Sequence, residues 1–196
     1  MSQGRTTQLK NEHPFYWGVT LVELLVTLSI MAILSAIAIP SFSNMVQDFA
    51  ISGQVNSMNA DVRYARSEAM KRGFNVVLCP STDPLAASPT CGGTSWRTGW
   101  IIFVDSNSNA AMDAGELLLR RQESLANKSS GITATQNTTT LSSISLTRDG
   151  RLPATVATAT VVVTFLSTGT GSNQQSKFLC VSTNGRPKAV KLANLC

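Results

Sequence analysis

Three groups of side chains in this sequence have the types and spacing to do chemistry. The first is a single carboxylate, Glu23, near the start of an otherwise uncharged apolar run over residues 19–39. A charge in apolar surroundings costs free energy unless a positive group meets it, which makes Glu23 a candidate for ion pairing. The second group is Asp105, Asn107, Asn109, Asp113 and Glu116. These fall at the first, third, fifth, ninth and twelfth positions of a calcium loop. Against a cation stand Ala110, where the sharp turn needs glycine, and the strand-like sequence on both sides. A hairpin turn in which Asp and Asn side chains hold local backbone groups accounts for the same composition, and no metal is assigned. The third group is cationic: Lys177, Arg186, Lys188 and Lys191, in a tail whose sequence supplies them no acidic counterpart.

Charge is uneven along the chain. Of 16 Lys and Arg and 11 Asp and Glu, residues 124–196 hold 7 of the cations against Asp149 alone. Asn184-Gly185 marks a turn that lifts Arg186 to a tip. Such cations suit a polyanion: phosphates are contacted without regard to base sequence, in a weak and salt-sensitive way. Aromatic residues for base stacking are missing around the tip, so contact with a duplex backbone is the expected mode.

Catalysis has no foothold. The sole histidine, His13, precedes the apolar run, and there is no Gly-x-Ser-x-Gly elbow or phosphate-cradling loop. Asp105 and Asp113 lack any visible apolar pocket that would tune them for acid–base work. The chain reads as no enzyme, with no cofactor. Its 4 cysteines contain no closely spaced pair of the kind zinc sites use. They permit three disulfide connectivities, of which the sequence-local one, Cys79 with Cys91 and Cys180 with Cys196, is favoured. Oxidising surroundings outside the inner membrane would keep such bridges.

The elements that position these groups follow from the patterning. Residues 19–39 would form a helix of roughly 30 Å, enough to cross a hydrocarbon core. A polar leader with Arg5, Lys10 and Glu12 ends at Gly18, so a cut there falls before the apolar helix rather than after it, as in an ordinary secretory signal. Beyond Pro40 the apolar positions Phe42, Met45, Val46, Phe49, Ile51, Val55, Met58, Val62, Ala65 and Ala69 keep helical spacing, and Gly73 supplies a stop. Gly53 is a weak point in that helix. Strands are expected at 75–79, 100–104, 117–121, 141–146, 161–166, 177–181 and 189–192, while the Ser-, Thr- and Asn-rich residues 126–143 read as an exposed loop or weak edge strand. A long helix followed by many strands predicts an α+β fold, the helix packed on an antiparallel sheet. The expected organisation is a leader over 1–18, a membrane-spanning and assembly helix over 19–40, an amphipathic helix over 41–73 and a β-rich head over 74–196.

The order Gly18, Val19, Thr20, Leu21, Val22, Glu23, with Pro40 at a helix kink, resembles the class III leader and N-terminal helix of type IV pilins and pseudopilins. The resemblance implies a prepilin peptidase cut between Gly18 and Val19, methylation of the new amine, and pairing of Glu23 with the N-terminus of a neighbouring subunit. Two departures are visible: Val19 stands where that family usually has Phe or Met, and Phe15, Tyr16 and Trp17 replace basic residues before the glycine. Trp96, Gly99, Trp100, Phe103, Asp105, Asn107, Asp113, Gly115, Glu116 and Arg120 are similar to a hairpin pattern of the FimT/FimU/GspH branch. Gly185, Arg186, Pro187 and Lys188 resemble its Gly-Arg-x-Arg element, tied there to DNA binding in natural transformation. Lys188 keeps the charge of the final arginine and loses its forked geometry. Implied partners are other pilins in a filament, the peptidase, the inner membrane and double-stranded DNA. Implied localisation is a single-pass inner-membrane protein with a periplasmic head, then a pilus at the cell surface. The alternative within the resemblance is the minor pseudopilin H of type II secretion, with an assembly role alone.

Overall fold

The structure, a computed structural model, describes residues 18–125, 129–154, 160–168 and 175–196, and only the backbone of Ile37, Ile39, Pro40, Ser41 and Ser43. The rest of the expected leader, Phe15 to Trp17 and His13 included, lies outside the described residues. The chain divides into two compact units, residues 1–41 and 42–196.

Helix α1 runs over Leu21–Arg72. It starts on a cap: the Glu23 backbone N–H donates to Thr20 Oγ1 at 3.2 Å. In the first unit every large apolar side chain described between Val19 and Leu34 is more than half exposed. Among the described residues no helix is long and apolar enough to cross a membrane. The expected span over 19–39 includes Ile37 and Ile39, whose side chains lie outside the description. Pro40 falls within the bounds of α1, with its side chain outside the description.

In the second unit Ile51, Val55, Met58, Val62, Ala65 and Ala69 are all buried, as their spacing requires. Phe42, Met45, Val46 and Phe49 were expected to extend that stripe and instead stand half or more exposed. The core cluster therefore begins on α1 at Ile51. Gly53 sits inside the helix without ending it. At the far end Gly73 takes φ +72° and donates to Ala69 O, closing the last turn.

Two antiparallel sheets replace the single expected one. The first, in order β3-β2-β1-β6, contains β1 (Asn75–Pro80), β2 (Trp100–Asp105), β3 (Leu118–Gln122) and β6 (Ile144–Leu146). The second, in order β5-β4-β7-β8-β9, contains β4 (Gly131–Gln136), β5 (Thr139–Thr140), β7 (Val161–Leu166), β8 (Ser176–Val181) and β9 (Pro187–Val190). The polar segment read as a loop or edge thus supplies β4, paired with β7 along Gly131↔Leu166 to Gln136↔Val161 and bordered by β5. Ile132 and Ala134 carry it into the core, because alternation buries one face of a strand while its Thr residues take the other. Only 144–146 of the strand expected at 141–146 forms, as β6.

Strand β2 is buried on both faces. Trp100, Ile102 and Val104 join the α1 core, whereas Ile101 and Phe103 meet Val77 and Cys79 in a second cluster covered by Cys91, Ala110, Met112 and Leu118. Cys79–Cys91 and Cys180–Cys196 are disulfide-bonded. Helix and first sheet are fastened by Asp61, whose Oδ2 accepts from Trp100 Nε1 at 2.8 Å and whose Oδ1 accepts from Arg120 Nη1 at 2.7 Å. The Arg120 guanidinium also lies 4.3 Å from the centre of the Tyr64 ring.

Candidate nucleic-acid interface

The β8–β9 hairpin positions the basic tail. Ser182 N–H donates to Arg186 O at 3.1 Å, Gly185 N–H returns to Ser182 O at 2.7 Å, and the register runs from Val181↔Pro187 to Phe178↔Val190. Gly185 has φ +67° and is buried. A side chain there would run into the carbonyl oxygen of Gly150, so only glycine allows the turn to lie on the 147–151 loop. The expected free tip is therefore seated on that loop. Gly150 in turn has φ +71°, and a Cβ on it would press on Met70 Sδ and Arg66 Cγ of α1. Two glycines in contact thus bring Arg186 toward the helix.

Arg186, Lys188 and Lys191 are exposed, with no hydrogen bond or ion pair to their side chains among the described residues. Lys177 is different and must be removed from the proposed binding set. Its Nζ lies 2.8 Å from Asp48 Oδ1 and donates to Ser52 Oγ at 2.6 Å, both on α1. The tail as a sequence offers no acid, but the packing of α1 brings one.

Sequence reasoning missed a contribution from the helix. Arg63 and Arg66 line a groove of about 510 Å³ together with Ser67, Met70, Arg186 and Pro187. Their sequence signal is the three-residue spacing, which puts both on one helical face. It was hidden because the first two-thirds of the chain is balanced in charge. The acids of this part of the helix are engaged elsewhere: Asp61 with Arg120, and Glu68 with Arg72 and Lys71.

The acid-and-amide segment forms a self-contained loop between β2 and β3. Asp105 is buried; its Oδ1 accepts from Asn109 N–H at 3.2 Å and its Oδ2 from Ala110 N–H at 3.0 Å. Glu116 Oε1 accepts from the Ser106 N–H, and Asp113 Oδ2 accepts from the side-chain amides of Asn107 and Asn109. Those amide bonds, Asn107 first, hold the Asp113 carboxyl below its ordinary value. Ala110 adopts φ +60°, so alanine occupies the left-handed position where a calcium loop has glycine. Among the described residues no cluster of three or more acids, His or Cys converges as a metal site.

Gly18 and Val19 are exposed just ahead of α1, and Glu23 is exposed in its first turn. The spacing of Thr20 and Glu23 is that of a capping box, of which the Thr20 half is made.

Comparison with known proteins supplies the family. Over 99 residues the chain is 32% identical to the pilin-like protein PilA1 of Thermus thermophilus, a match covering 50% of this chain and 54% of that protein. The chain thus spans about half the length of this curated relative. The crystal structure of the type IV minor pilin FimU from Pseudomonas aeruginosa superposes with a TM-score of 0.52 at 18% identity, over 74% of this chain and 92% of that one, which is a likeness of fold. The family model described as type II transport protein GspH matches residues 54–195, from the middle of α1 to the last turn. The chain belongs to the family of the type II transport protein GspH.

Proposed function

We propose that this protein is a minor subunit of a type IV pilus, incorporated in the filament or priming its assembly. Prepilin peptidase cuts between Gly18 and Val19, the Val19 amine is methylated, and the segment 19–40 holds the subunit in the inner membrane, head in the periplasm, until it joins the filament at the cell surface. One observation carries the reading: Glu23 is the single charge on a helical surface whose large apolar side chains from Val19 to Leu34 are all more than half exposed. Such a surface needs cover from lipid or from other subunits, and its carboxylate needs a cation, which the amine of a neighbouring copy supplies. Glu23→Gln should leave the protein in the membrane fraction and deplete it from sheared filaments. Normal incorporation of that variant would remove the pairing role.

A second activity is favoured by Arg186, Lys188 and Lys191, three exposed cations on and just after one hairpin whose side chains form no ion pair among the described residues. They would hold double-stranded DNA by its phosphates, independent of sequence, in the manner natural transformation requires. Joint replacement of Arg186 and Lys188 by alanine should weaken duplex binding about equally for all sequences and flatten its salt dependence. A variant binding as well as the parent would leave the assembly role alone.

A further inference from the structure

We infer that Arg63 and Arg66 of α1 form one phosphate-binding groove with Arg186; this rests on the DNA reading above and deepens it by naming the backbone phosphodiester as the group seated between helix and hairpin. The three guanidinium groups come from two elements separated by more than a hundred residues and share a groove whose lining contains no carboxylate. Like charges brought together repel unless an anion is shared among them.

Each helix arginine is aimed by its Nε. Arg66 Nε donates to Gly150 O at 2.9 Å, and Arg63 Nε donates to Asn59 Oδ1 at 2.9 Å. The terminal nitrogens of both, and the whole guanidinium of Arg186, have no partner among the described residues. A guanidinium held at Nε with its outer edge open presents paired donors that match two oxygens of one phosphate. Arg66 is half-buried, so its charge is less hydrated than that of a free surface arginine. No aromatic residue lines the groove, which therefore suits the phosphodiester backbone rather than unstacked bases. The Gly150–Gly185 contact fixes the spacing of the two walls.

The test is an electrophoretic titration of the full chain in detergent with a short mixed-sequence duplex over a salt series. Arg63→Ala is the central variant: the side-chain hydrogen bond it removes is to Asn59 on the same helix, so no hydrogen bond between elements is lost. Affinity should fall about threefold to tenfold, and the slope against salt should decrease by about 0.9 for each phosphate that the variant no longer neutralises. Arg66→Ala should behave alike, and Arg63→Lys should recover part of the affinity. If Arg63→Ala binds as the parent does while the Arg186/Lys188 variant is weakened, the groove is overturned and the DNA reading stands. If the parent protein binds no duplex, that reading falls and the groove falls with it. Vesicles containing phosphatidylglycerol present the same phosphodiester: a defect confined to vesicle binding would assign the groove to lipid headgroups and overturn the proposal.

Discussion

Lys177 on β8 is joined to Asp48 on α1 at 2.8 Å, so one of the four cations of the basic tail serves the packing of helix on sheet. Its side chain retains only 19% exposure, whereas Asp48 remains about half exposed. Replacing Lys177 by alanine should leave duplex affinity and its salt slope as they are, while lowering stability by less than about 1 kcal/mol, the range of partly exposed pairs. Titration and thermal melting of the same variant check both halves. A fall in the salt slope would return Lys177 to the binding surface.

Asp61 is the joint between α1 and the first sheet. Its removal strands the Trp100 Nε1–H inside the core and deprives Arg120 of its partner. Asp61→Ala should cost about 1–3 kcal/mol, the penalty of an orphaned buried donor, with Asp61→Asn intermediate because one acceptor remains. Urea midpoints measure this; an unchanged midpoint for Asp61→Ala would show that the fastening is dispensable.

The Asn107 and Asn109 amides lower the Asp113 carboxyl from its ordinary value of 3.8. A carboxyl depressed in the folded state favours folding above its unfolded value, and that contribution disappears as pH falls through the folded value. Stability should therefore decline from near pH 4 downward, and Asp113→Asn should flatten that part of the curve by removing the contribution that the carboxylate makes at neutral pH. Melting temperatures of both proteins across the acid range check the sign. An acid limb identical in the two proteins would contradict it.

Much of this fold was legible in the sequence, and the failures have physical causes. The buried face of α1 from Ile51 to Ala69 could be read because helical period and burial coincide. Strand β7 could be read because Val161, Val163 and Phe165 alternate with outward residues. Strand β4 was hidden: Thr133 and Thr135 fill outward positions, and only Ile132 and Ala134 mark the inner face as apolar. Burial was overestimated at Phe42 to Phe49, since an apolar stripe does not say what will cover it. At the candidate site Arg186 and Lys188 stood out by local charge. Arg63 and Arg66 did not, because their significance depends on Asp61 and Glu68 being occupied by other cations, a tertiary fact.

Mass spectrometry of filaments sheared from cells tests the central claim most directly. The account predicts a chain that begins at Val19 with a methylated amine, present with the other pilins. Recovery of the protein only in membranes, with residues 1–18 still attached, would contradict it.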